Sequence, residues 1–166
     1  QGEPLEGKAI IVLAEQGLGG QVMFASCLPD LLALGPRKVW VEAIARVAPT
    51  LARSFPECEV IATKQGKQLD WVRPLRGVDY FVPLGDLPRF FRRSADAFPA
   101  HDGYLRADPA RVDHWRETLG KLGARAKIGV SWRGGMEGTR RVLRTMQSEM
   151  LAPLAAVVDA DWVCLQ

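Results

Sequence analysis

Three groups of residues in this sequence have the types and spacing that chemistry requires. The first is the glycine turn Gln16–Gly20 (QGLGG), which follows an apolar run and precedes a helical pattern. Gly17, Gly19 and Gly20 let the backbone approach a ligand closely. The helix start behind them presents unpaired N–H groups to a phosphate or another anion. A tight strand-to-helix turn favours glycine in any case, so the turn alone does not choose between binding and structure. The strict dinucleotide pattern G-x-G-x-x-G fails, because Val22 stands where the third glycine belongs. Glu42, near the end of the next strand, is placed to take the part of a ribose-binding acid.

The second group is basic. Arg133, Arg140, Arg141 and Arg144 surround Gly134 and Gly135, with Arg125 and Lys127 just before them and only Glu137 against them. A glycine-rich loop after a parallel strand, followed by arginines, suits a diphosphate, since a guanidinium pairs phosphate oxygens in a planar fork. The competing reading is a solvated basic loop. Trp132 is the one aromatic close by, which argues against a stacking surface for RNA. The third candidate is Glu15, at the end of the first apolar run, as a general base beside a cleft. A solvated strand end explains it equally well. Asp30 and Asp79 have a weaker claim.

The elements that must position these groups follow a βαβ rhythm. Lys8–Glu15 (KAIIVLAE) is continuously apolar, as a parallel strand covered on both faces would be. A helical pattern runs from Val22 to Leu34, flawed by Pro29, which must kink or restart it. Gly35 and Pro36 end it. Arg37–Ile44 predicts a second strand, Ala45–Ser54 a helix closed before Pro56, and Cys58–Thr63 a third strand. A short helix around Leu69–Val72, a strand over Asp79–Leu84, a short helix over Leu87–Arg93 and a loop to Gly103 follow. Asp108 and Pro109 open a helix with Val112, Trp115, Leu119 and Leu122 on one face, stopped by Gly123. Lys127–Trp132 predicts a fifth strand, Ser148–Val158 a helix and Asp161–Gln166 a last strand. The expected architecture is α/β: a Rossmann-like parallel sheet flanked by helices, with KAIIVLAE central. The expected divisions are 1–107, a linking helix over 108–126, and the first β-α-β of a second such unit over 127–166.

Composition narrows the function classes. The chain has 166 residues, 48% hydrophobic and 25% charged, with a formal net charge of +3. That suits a folded domain, and it is too weakly basic for a dedicated nucleic-acid binder. Cys27, Cys58 and Cys164 are odd in number and lie in apolar stretches, so buried free thiols in a reducing, cytoplasmic setting are expected. His101 and His114 have no ligand-like neighbours, so no metal is expected. No apolar run approaches the length of a membrane span, and no signal peptide is visible. The chain begins with Gln1 and ends in a strand, which reads as a piece of a larger protein.

Several stretches together resemble a known family. EGKAIIVLAEQGLGGQVMFASCLPDLL is similar to the N-terminal signature of heptosyltransferase-like GT-B proteins, and more narrowly to the glycosyltransferase-like region beside tetratricopeptide repeats in bacterial proteins. GYLRADPARVDHWRETL, IGVSWRGG, the pair Arg140–Arg141 with Arg144, and LAPLAAVVDADWVCLQ follow in the family's order and cover almost the whole chain. The resemblance implies two Rossmann-like domains with the site between them. Gly17, Gly19 and Gly20 would line the acceptor side. Arg133, Arg140, Arg141 and Arg144 would approach the diphosphate of a nucleotide sugar, with no cofactor or metal required. The implied reaction is inverting glycosyl transfer to an unknown acceptor.

One departure bears on catalysis. The family carries Asp after G-L-G, as the presumed general base, where this chain has Gly20. Either Glu15 substitutes, or the region is a degenerate, non-catalytic interaction module; a third reading is an NAD-binding Rossmann domain. With so little of a donor domain, the chain is expected to be inactive alone. Its apolar C-terminal segment is expected to seek a partner surface, such as a second copy of the chain.

Overall fold

The computed structural model describes residues 3–15, 17–64, 69–134 and 141–165. The chain divides into two compact units, 1–108 and 109–166.

The first unit is a four-stranded, wholly parallel sheet. Its strands are β1 (Ala9–Leu13), β2 (Lys38–Ile44), β3 (Glu59–Thr63) and β4 (Tyr80–Pro83), in the order β3-β2-β1-β4. The expected α/β parallel sheet is therefore present, and β1 is internal. Its apolar continuity has the expected cause: Ile10 and Val12 face one core, Ala9 and Ile11 the other, and all four are buried. On the larger face lie α1 (Leu18–Phe24), α2 (Leu28–Ala33) and α3 (Ala48–Ser54), which contribute Leu28, Leu31 and Leu51 to the core. The other face is covered more thinly, by Trp71, Val72, Leu75 and Val78 around a 3₁₀ turn at Asp70–Val72. Beyond β4, α4 (Pro88–Phe91) brings Leu87 and Phe91 against the larger core.

Pro29 acts as its chemistry dictates. It cannot donate to the carbonyl of Ala25, so α1 gives way to a 3₁₀ turn at Ala25–Cys27 and α2 restarts with Pro29 in its first turn. Gly35 then ends the segment in the left-handed region, at φ 69°, which a side chain would resist.

The second unit contains α5 (Pro109–Gly120), β5 (Ala126–Val130), α6 (Ala152–Val157) and β6 (Ala160–Cys164). β5 and β6 pair in parallel, from Ala126 opposite Ala160 to Val130 opposite Cys164. Arg125 holds Asp159 at 3.2 Å and also bonds Asp161, which ties the start of β5 to the start of β6. On α5, Val112 and Trp115 are exposed. One expectation fails in this unit: Cys164 is exposed, at the end of β6, whereas Cys27 and Cys58 are buried. Among the described residues, no helix is long and apolar enough to cross a membrane.

Burial has a measurable consequence at Cys58. Loss of solvent, helped by the nearby Glu57 charge and opposed by Lys38, raises its thiol pKa from 9.0 to about 11. The folded state thus holds this proton more tightly than the unfolded chain. The stability it contributes is complete below pH 9 and disappears as pH rises through about 11. A loss of about 2 kcal/mol across that window is expected. Urea unfolding of the wild-type and Cys58→Ala chains at pH 8 and pH 11 checks it. The variant should show the smaller alkaline decline, and equal declines would refute the assignment.

Candidate functional site

The strand order places the site. The chain proceeds from β1 to β2 to β3 on one side and then crosses back to lay β4 on the other side of β1. The direction in which the chain crosses the sheet therefore reverses between β1 and β4. Open parallel sheets bind ligands at such switch points. Glu15 lies there. Its Oε1 accepts the Gly85 N–H at 3.1 Å, joining the end of β1 to the end of β4.

Gly17 and Gly19 share this crest. Gly17 caps α1 with extended backbone (φ −66°, ψ 178°), and the Gln21 N–H donates to the Gly17 carbonyl at 3.0 Å. Neither glycine has the positive φ that would demand glycine, and a Cβ added to either would meet nothing within 4 Å. Gly17 and Gly19 therefore leave open space above the turn and are not required by the local backbone. Gly20 sits in the first turn of α1, where no acidic residue is present. Gln16 lies outside the described residues.

An expected result follows for Gly19. Alanine there should stabilise the first unit by about 0.5–1 kcal/mol, because α1 gains propensity and the unfolded chain loses freedom. Denaturant melts of Gly19→Ala against wild type check this. A loss of stability would mean that the space above the turn is not open.

Two buried polar side chains stand behind the turn. Gln21 is fully buried, and its Oε1 accepts the Ile44 N–H at 3.0 Å. Glu42 is 5% exposed. Its Oε2 accepts the Ala14 N–H at 3.0 Å, and its Oε1 accepts the Thr63 hydroxyl at 2.9 Å. Glu42 is thus not presented to a ribose: both its oxygens are turned to protein donors inside the sheet. Sequence reasoning singled out Glu42 for the wrong partner and missed Gln21, whose position among apolar helix residues gave no polar signal. Asp79 lies at the opposite edge, where its carboxylate accepts the Ala9 N–H at 2.8 Å. Asp30 pairs with Arg92 on the helical face.

The basic group lies in the second unit. Arg133 and Arg144 are described and exposed. The two ends of their loop come together: the Met146 N–H donates to the Trp132 carbonyl at 3.0 Å, and a Cβ on Gly134 would stand 3.0 Å from the Arg144 carbonyl oxygen. A side chain at 134 would crowd that approach. Arg140 and the side chain of Arg141 lie outside the described residues. The residues proposed from sequence therefore form two groups, Glu15 with Gly17, Gly19 and Gly20 in one unit and Arg133 with Arg144 in the other.

No family model matches this chain, and no solved structure matches it. One curated protein does. Protein FlbA of Caulobacter vibrioides (strain ATCC 19089 / CIP 103742 / CB 15) is 39% identical over 174 aligned residues, covering 99% of this chain. The match takes in 29% of FlbA, so the chain spans less than a third of that relative's length. Both units fall within that one stretch.

Proposed function

We propose that this chain belongs to a glycosyltransferase-like protein that uses a nucleotide-diphosphate sugar, with the carboxyl edge of the first unit as its acceptor side. The observation that carries the reading is the switch in strand order between β1 and β4, with Glu15 at that point beside the open glycine turn. The second unit adds Arg133 and Arg144 after a parallel strand, the chemistry a departing diphosphate needs. Supporting the same reading, the family-like stretches run in order through both units. In this scheme Glu15 takes the acceptor proton in place of the carboxylate missing at Gly20. The arginines stabilise the leaving diphosphate, and inverting transfer proceeds by direct displacement.

A second reading is a non-catalytic module beside a repeat array. It is favoured by Gly20, which leaves the first turn of α1 without a base. A dinucleotide site has less support, because Glu42 is occupied within the sheet.

Thermal shifts of the full-length protein with UDP-, GDP- and ADP-sugars, set against NAD, separate these readings, followed by sugar-transfer assays of wild type and Glu15→Gln. Stabilisation by one nucleotide sugar, with transfer lost in Glu15→Gln, is expected. Binding without turnover would select the module. Stabilisation by NAD alone would overturn both.

A further inference from the structure

The ladder between β1 and β2 runs from Ala9 opposite Lys38 to Val12 opposite Val41, and there it ends. β2 continues beside β3 as far as Ile44 opposite Thr63, while β1 stays with β4 through Leu13 opposite Pro83. The two central strands therefore part before either has finished. Ala14, one residue past β1, is 6% exposed, and a buried N–H must find an acceptor. With the ladder over, no strand carbonyl of β2 takes that place, and the Glu42 carboxylate does. Its second oxygen binds the Thr63 hydroxyl, so one side chain on β2 holds the ends of both neighbouring strands. On the other side of the gap, Gln21 Oε1 accepts the Ile44 N–H.

We propose that Glu42 is the positioning residue of the switch point: its carboxylate replaces the strand partner that β1 gives up, and thereby sets where Glu15 and Gly17 stand. The hydrogen bond falls on Ala14, directly before Glu15. Glu15 in turn reaches Gly85 across the switch point. A shift of Ala14 therefore moves the proposed base relative to β4. Any consequence for sugar transfer rests on the glycosyltransferase reading, whereas the geometric role does not.

The two claims are tested separately by site-resolved amide exchange and ¹⁵N spectra of the ligand-free chain. Glu42→Gln retains an oxygen for the Ala14 N–H and gains an amide that donates to the Thr63 hydroxyl oxygen. It should keep the wild-type protection of Ala14 and the wild-type resonances of Glu15, Gly17 and Gly85. Glu42→Ala removes both acceptors. It should speed exchange at Ala14 by about tenfold or more and shift those three resonances, while Ile11 and Val41, within the ladder, keep their protection. If Glu42→Ala does not fold, Glu42→Asp replaces it. Shortened by one methylene, that carboxylate cannot reach both donors, and the same local signature is expected. Unchanged Ala14 protection in the truncated variant, or loss spread evenly over Ile11 and Val41, would overturn the positioning role. So would a Glu42→Gln chain as disturbed as the truncation. Since no ligand is present, failure of the transfer assay would count against the functional reading alone.

Discussion

Leu51→Ala is expected to destabilise the first unit by about 4 kcal/mol, within the range for truncating a fully buried leucine. Leu51 is 0% exposed on α3, in the cluster that contains Val39, Val41 and Phe55. Its removal forfeits the transfer energy of the deleted carbons and leaves a cavity that β2 and α3, both anchored in the core, can only partly close. A domain of this size has only about 5–15 kcal/mol of stability, so a large fraction disappears. Leu34→Ala is the control: that side chain is 46% exposed at the end of α2, and less than about 1 kcal/mol should be lost. Urea midpoints give both values. Equal losses at the two positions would mean that the core does not lie where α3 meets the sheet.

Asp30→Ala should cost about 2–3 kcal/mol, the second largest effect. The Arg92 side chain is 4% exposed and donates to Asp30 Oδ2 at 2.7 Å, to the Ser26 carbonyl at 3.1 Å and to the Phe91 carbonyl at 3.0 Å. The hydrogen bond to Asp30 raises the Arg92 pKa against the lowering effect of burial, so the guanidinium stays charged when folded. Removing Asp30 leaves that charge buried with two carbonyls and the Phe98 ring, and no counter-ion from Asp30. Breaking a fully buried pair costs about 3–5 kcal/mol, and the partial exposure of Asp30 trims the loss. The double variant Asp30→Leu with Arg92→Met should recover most of it, because the desolvation of both ions is removed together. A double variant no more stable than Asp30→Ala would show that packing around Arg92, and not its charge, holds α4 to α2.

Much of this architecture is legible in the residues. Continuous apolar runs at Ala9–Leu13 and Val39–Val41 mark strands covered on both faces, and both are. Pro29 and Gly35 act through the local backbone, so their effects need no knowledge of the fold. The helix after Pro109 is equally local, and it forms, but the burial of its apolar stripe is not local. Val112 and Trp115 remain exposed although their spacing is that of a core-facing helix. Periodicity states which face is apolar and not whether anything covers it.

The candidate site shows the same division. The glycines, Glu15 and the arginines could be named from residue type and from their places after strands. By itself the sequence determined that these groups lie at strand ends, because apolar runs and turn residues are local physical signals. Only the tertiary structure decided that β4 returns beside β1, which sets Glu15 against Gly85, 70 residues away. Only the structure, too, turned Glu42 inward, where the early end of the β1–β2 ladder leaves the Ala14 N–H in need of an acceptor. Strand order and register follow from how buried surfaces and backbone donors are matched across the whole sheet, and that matching is written in no single stretch of the chain.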